Sequence, residues 1–323
     1  MYLIIIQQTS RGTCTVYRVN KGNGQSNTIM SLLTEISFGE NYFEMAILFR
    51  NSMLINSLLS SSEVLYNIEL KHIKFLERCD KNLVLRILSA PSTCSYESVY
   101  LETGCLPIRF ILQGRRLMYL WALLYKNEDQ IVQKVFTTQK DFSSKDDWIL
   151  QVEDDKSTLG IDISDNLIMM MKKETFKKLI KKKLNYKAKE FLFNYKNQEN
   201  QSKSKNLNSF SLQNYFKSTK LSTKEKKLLF SLRTRTVDVK TNYRNKYKFN
   251  MQCRLCDDKT TEESEKHLLK CVNILKNINP NTHTDLSRVT YEDIFSEDIE
   301  VQIAITKIFS AIFKTRQKLL VNN

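Results

Sequence analysis

A chain of 323 residues with 41% hydrophobic content can bury a sizeable core in one or two domains, but its seven glycines and three prolines are too few for a sheet-rich fold of many tight turns. The net charge of +15 is uneven: residues 171–250 hold 23 Lys and Arg against 5 Asp and Glu, while the rest of the chain is slightly acidic. That concentration calls for a polyanionic partner, most simply nucleic acid, with an anionic membrane surface as the runner-up. Seven cysteines is an odd number, and Cys14, Cys79, Cys94 and Cys105 are scattered through apolar sequence, so buried free thiols in a reducing compartment are expected in place of a disulfide framework. The apolar start, Met1–Ile6, is too short for a signal segment, and Tyr42–Leu59 is interrupted by Glu44, Arg50, Asn51 and Asn56, so no membrane span is expected. These features point to a soluble protein of the nucleus or cytoplasm.

In chain order, residues 1–26 are poorly defined, with Leu3–Ile6 and Cys14–Val19 as short strand candidates and Lys21–Gly24 as a turn. From Asn27 the helical period dominates. Ile29, Leu32, Leu33 and Ile36 mark one helix, and Phe43, Ile47, Met53, Leu54 and Leu58 mark a second that is apolar nearly all round. Ile73 to Leu88 predicts an amphipathic helix that stops before Pro91. Ser95 can cap a short helix closed by Gly104, and Pro107 suits the first turn of another running to about Tyr125. On that helix Arg109, Arg115 and Arg116 read as a solvated basic face, with phosphate contacts as the alternative. Helices are predicted over 128–139 and 145–159. Glu153, Asp154 and Asp155 on the second read as a solvated face, because adjacent helical positions point about 100° apart and cannot aim two carboxylates at one metal.

Lys173–Asn197 is the most basic helix, with a stripe of Phe176, Leu179, Ile180, Leu184, Ala188, Phe191, Leu192 and Tyr195 and lysines over the remaining surface. Such a helix suits a nucleic-acid channel, a membrane surface or an ordinary solvated face. Residues 197–220, rich in Asn, Gln, Ser and Lys, form the best linker candidate. Ser222–Glu225 is a capping box that opens a helix with Leu228, Leu229 and Leu232. After it, Arg233, Arg235, Lys240, Arg244, Lys246 and Lys248 are interleaved with Tyr243, Tyr247 and Phe249, the pattern of cations for a phosphate backbone and rings for unstacked bases. The alternative is that the rings are core and the cations solvated. Ile299–Leu320 is a closing helix.

The sharpest signal lies between these last segments. Cys253, Cys256, His267 and Cys271 read C-x2-C-x10-H-x3-C, the donor types and spacing of a tetrahedral zinc site. Thr260 and Glu263 look like a capping box, which predicts one helix carrying His267 and Cys271 on the same face. Cys271 completes a set of four, which leaves His283 outside it. The bland alternative is a chance cluster of buried thiols.

The order of several short motifs adds a resemblance. Phe38-Gly39, Tyr42–Ala46, Phe49–Met53, Ser62–Tyr66, Leu101–Arg109, Arg115–Leu117, Glu225–Phe230, Leu232–Arg235, the Cys/His site and Tyr291–Phe295 follow one another as in the C-terminal part of the polyprotein of non-LTR (LINE-type) retrotransposons, downstream of the reverse-transcriptase catalytic core. The resemblance covers residues 11–321. It implies a thumb-like helical part that packs on a primer–template duplex and a zinc knuckle that grips RNA or DNA, with Cys253, Cys256, His267 and Cys271 as metal ligands. The chain lacks the aromatic-x-Asp-Asp polymerase motif, a fingers region and an endonuclease constellation.

Together these readings give a mainly α architecture: a poorly defined remnant (1–26), a helical thumb-like domain (27–170), a basic helix and linker (171–221), a basic helix with a zinc knuckle (222–285) and a C-terminal helix (286–323). The expected function is a truncated, non-catalytic fragment that binds zinc and RNA or DNA, joined in its parent to a polymerase core. The alternative is an inert relic or a helical protein-interaction module.

Overall fold

A computed structural model describes residues 11–35, 39–127, 129–142, 147–198, 206–247, 250–256, 260–278 and 289–322. Helix makes up 73% of the described residues and strand essentially none of them, so the fold is mainly α, as composition and periodicity predict. The chain forms two compact units, and each gathers segments far apart in sequence. One is built from residues up to Leu32, Ile47–Leu83 and Cys105–Tyr195; the other from Leu33–Ala46, Val84–Gly104 and the residues from Lys196 onward. This differs from the linear division expected from sequence, because the chain alternates between the units.

In the first unit, α1 (Arg11–Glu35) is one long helix. Cys14–Val19 and Lys21–Gly24, expected as strand and turn, lie inside it. Gly22, Ser26 and Ile29 are spaced four and three apart, and all are buried on one face. Gly22 serves close approach and not a turn, since a Cβ there would lie 2.4 Å from Leu58 Cδ2 and 3.1 Å from Cys79 Sγ.

Next come α2 (Tyr42–Phe49), which enters the first unit only at Ile47, a π-helical turn over Arg50–Leu54, and α3 (Ile55–Leu58). Arg50, only 1% exposed, donates to both oxygens of Asp80 at 2.7 and 2.6 Å and to Leu106 O at 3.0 Å. Asp80 lies on α4 (Leu70–Leu88), which ends before Pro91 as expected. The π turn thus sits where a fork of charge-assisted hydrogen bonds replaces apolar packing.

After α5 (Tyr96–Thr103), which belongs to the second unit, the first unit resumes with α6 (Ile108–Leu124), α7 (Ile131–Asp141), α8 (Trp148–Thr158), α9 (Asp165–Met170) and α10 (Lys173–Gln198). Helix α6 packs against α7, α8 and α9. Its arginines are not the solvated face expected. Arg116 is buried and grips Asp155 of α8 through two hydrogen bonds, at 2.6 and 2.9 Å. Arg109 does the same to Glu77 of α4 at 2.8 and 2.9 Å and lies 4.4 Å over the Phe191 ring. Asp155 is correspondingly 1% exposed and not part of a solvated acidic face. Alternating apolar and charged positions on a helix look solvated from sequence, but here the charges meet counter-charges on neighbouring helices. Phe176, Ile180, Leu184, Ala188 and Leu192 form the buried stripe of α10, one residue per turn.

In the second unit, the Ser95 hydroxyl caps α5 and Gly104 closes it in the left-handed conformation, as predicted. Gly104 has φ +63°, and a Cβ there would lie 2.6 Å from the backbone of Ser211 and Leu212. That closeness lets Ser211 N–H donate to Leu101 O and Gln213 N–H to Glu102 O. The linker candidate 197–220 is therefore corrected over its described part: Leu207, Tyr215 and Phe216 are buried, and α11 (Asn214–Lys217) belongs to the core. Its polar composition suggested solvent, but Leu207, Tyr215 and Phe216 are buried and Phe210 and Leu212 half-buried.

Helix α12 (Thr223–Arg233) opens with the predicted capping box, in which Ser222 and Glu225 exchange hydrogen bonds. After the Cys/His segment, α16 (Ile299–Asn322) packs Ile305, Ile308, Phe309 and Ile312 against α11 and α12. Among the described residues no helix is long and apolar enough to cross a membrane.

Candidate metal centre

The Cys/His segment sits in the second unit. Cys253 N–H donates to Thr261 O at 2.9 Å and Glu263 N–H to Met251 O at 2.8 Å, an antiparallel pairing that brings the Cys253–Cys256 turn over the chain leading to His267. Ser264, not Thr260, caps the next helix: its hydroxyl accepts from His267 N–H. That helix, α14 (Glu265–Leu268), is a single turn. Cys271 has extended ψ of 114° and stands as N-cap of α15 (Val272–Asn277). The expectation of one helix carrying both His267 and Cys271 is therefore corrected. The chain breaks at Leu269–Lys270, and Cys271 joins the other three donors from the N-cap of the following helix.

The four donor atoms all lie within 4.8 Å of one another. Cys256 Sγ is 3.3 Å from His267 Nε2 and 3.4 Å from Cys271 Sγ. Ligands about 2.3 Å from one tetrahedral centre stand roughly 3.8 Å apart, so the cluster has the dimensions of a closed four-donor site. None of these cysteines is in a disulfide. Cys253 and Cys271 are buried, while Cys256 and His267 are half-buried.

Electrostatics fit the same use. The hydrogen bond shared with Cys271, followed by burial, pushes the Cys253 thiol up to about 12, and the same bond holds Cys271 below its ordinary value. Burial pushes Cys256 up. Backbone N–H groups are nevertheless aimed at the sulfurs: those of Leu255 and Cys256 at Cys253, that of Val272 at Cys256 and that of Ile274 at Cys271. Crowded thiols that share protons yet receive N–H donors are arranged for a bound cation to take the protons' place.

A second group of residues holds this loop, and the sequence did not single it out. Glu263, 1% exposed, accepts from Arg254 N–H at 3.0 Å, from Arg254 Nη2 at 2.6 Å and from Arg316 Nη2 of α16 at 2.7 Å. Burial raises the Glu263 carboxyl, but the arginine hydrogen bonds outweigh it and leave its pKa below the ordinary value. Asn273 adds a hydrogen bond to Leu255 O. The sequence signal was Glu263 standing across the hairpin from Arg254, inside the Cys-x2-Cys turn; Arg316 gave none.

The expected nucleic-acid residues divide. Arg233 is 2% exposed and donates to both carboxylate oxygens of Glu102 at 3.0 Å and to Ile294 O at 2.9 Å. Tyr215 OH donates to the same carboxylate at 2.6 Å. Lys240 is buried and donates to Asn250 Oδ1 at 2.9 Å. Tyr243 is half-buried with its hydroxyl given to Thr236 O. Arg233 and Lys240 are thus interior residues here, a correction to their reading as phosphate contacts. A cation's sequence neighbours do not show whether an acid waits across the core. Arg235 and Tyr247 are partly exposed, and Arg244 and Lys246, on α13 (Arg244–Tyr247), are exposed, Arg244 beside Glu262 at 3.3 Å. Lys246 Nζ and Arg254 lie 5.3 and 5.8 Å from the Tyr247 ring. Lys248 and His283 lie outside the described residues. Exposed cations also flank the ligands: Lys266, Lys270 and Lys276.

Fold and site thus define a mainly α protein with a Cys3His cluster able to hold a metal ion. Comparison with protein-family models, with curated proteins and with solved structures finds no match.

Proposed function

We propose that this chain is a non-catalytic, nucleic-acid-binding fragment of the kind found at the C-terminal end of a non-LTR retrotransposon reverse transcriptase, with zinc as its metal. Three thiolates and one imidazole favour zinc among the common divalent ions. Cys253, Cys256, His267 and Cys271 would hold the zinc, which would offset most of the thiolate charge and cross-link the loop.

The protein's own residues carry the binding. Lys246, Lys266, Lys270 and Arg244, arrayed beside the ligands, attract phosphates, and the Tyr247 ring offers a face to an unpaired base. The Arg254–Glu263–Arg316 network, buried at Glu263 and Arg316, holds the loop in place as the strand is engaged. The observation that carries this reading is the pairing of a four-donor cluster with exposed cations on the elements adjoining it.

Metal analysis and fluorescence anisotropy test it. The expected results are one zinc per chain, binding of single-stranded RNA or DNA at about 50 mM salt, and affinity that falls steeply as salt rises. A metal-free protein after purification without chelator, or no binding at that salt, overturns it.

A further inference from the structure

The first unit carries a feature that nucleic-acid binding by the Cys/His segment does not use. Between α6 and α10 runs an open groove of about 640 Å³. Its floor is aliphatic. Ile111, Met118 and Ala122 line it from α6, Ile180 and Leu184 from α10. Lys173, Lys177 and Lys181 stand along one edge, all exposed. A spacing of four residues on a helix puts successive ammonium groups about 6 Å apart along roughly 12 Å. Lys177 and Lys181 have no acidic side chain within ion-pair distance among the described residues, and Lys173 lies 5.9 Å from the Trp121 ring. Arg115 also lines the groove, but its guanidinium is given to Leu59 O and Asn56 Oδ1. Glu63 lies on the groove as well.

We propose that this groove docks an amphipathic helix of a partner protein that carries Asp or Glu at four-residue spacing along one edge. A seat between two helices with an apolar floor is what a third helix fills, its apolar face down. The lysine row has the period of a helix and demands a ligand with several negative charges at that period. A single-headed amphiphile would engage one lysine and leave the others. A nucleic-acid strand would need rings to stack on, and Tyr119 is the one aromatic residue among the described lining residues.

The test uses the full chain and a fluorescein-labelled helical peptide of about 18 residues, leucines on one face and glutamates every fourth position beside them. Anisotropy should give a dissociation constant in the micromolar range. The triple variant Lys173→Glu, Lys177→Glu, Lys181→Glu, altered only at exposed positions, should weaken binding about tenfold, the size expected of three exposed ion pairs. The same variant should gain affinity for the peptide with lysine in place of glutamate. Unchanged circular dichroism confirms that α10 is intact. No binding of the acidic peptide at about 200 µM, a concentration well above any micromolar constant, or indifference to the charge reversal, overturns the proposal. So does oligo-dT displacing the peptide from the wild-type chain, which would make the groove a nucleic-acid site.

Discussion

Arg316 Nη2 donates to Glu263 Oε1 at 2.7 Å, a buried contact that ties the Cys/His loop to α16. Glu263 holds Arg254 at the same time, so the Cys253–Cys256 turn, the hairpin beneath it and α16 meet at one buried carboxylate. Removing one partner of a buried ion pair costs about 3–5 kcal/mol, because the remaining charge is stranded. Glu263→Ala should therefore destabilise the second unit by about that amount. Hydrogen exchange at the Cys253 amide, which is bonded to Thr261 O, should rise accordingly. Exchange at wild-type rates would mean the network is ornamental.

Two buried carboxylates should answer acid in opposite directions. Glu263 has a lowered pKa, so its stabilisation is present above the ordinary value of about 4.5 and is lost as pH falls through the folded value. Asp155 meets a single arginine, and burial, the larger effect, leaves its pKa above 3.8 despite Arg116. Its ionised form therefore opposes folding at neutral pH, and stability is gained as pH falls through the raised value. Asp155→Ala should cost about 3–5 kcal/mol, whereas Arg116→Met with Asp155→Leu should be near neutral. Urea midpoints of the singles and the double decide this, and a double as damaged as the single would show the pair to be a net stabiliser.

How much of this was legible beforehand depends on the range of the interaction. Caps are local, so Ser95, Gly104 and the Ser222–Glu225 box could be read from sequence, as could the apolar stripe of α10. The four metal donors could be read because their spacing is itself the signal. Their path could not: the break before Cys271 depends on where Ser264 caps and on a hairpin that only the fold supplies. Charges were misread for the same reason. Arg116, Asp155, Arg233 and Lys240 look like surface residues until their partners, tens of residues away or across a loop, are seen. Gly22 reads as a turn former, yet its neighbours in space are Leu58 and Cys79.

Burial separates cations that hold the fold from those free to meet phosphate. Lys246→Ala should lower nucleic-acid affinity at low salt and reduce the steepness of the log–log salt dependence by about 0.7–0.9, one counterion's worth. Arg233→Met should instead lower stability by about 3–5 kcal/mol by stranding Glu102, with the salt slope of the protein that remains folded unchanged. A Lys246 variant with the wild-type slope would place the binding face elsewhere.

Gly104→Ala should cost more than about 1 kcal/mol, since an added Cβ meets both a positive φ and the backbone of Ser211. A lowered melting temperature with lost protection at the Ser211 and Gln213 amides checks it. Wild-type protection would show that the bridge can shift to make room.

The central claim, a metal-held loop that grips nucleic acid, is tested most directly by one titration: single-stranded RNA binding at about 50 mM salt before chelation, after it and after zinc is restored. Structural zinc in small sites is worth about 10–16 kcal/mol of apparent binding free energy, enough to decide whether such a loop folds. Binding should be lost on chelation and return with zinc, while the helices of the first unit keep their hydrogen-exchange protection throughout. Binding that is equally tight with and without the metal would contradict it.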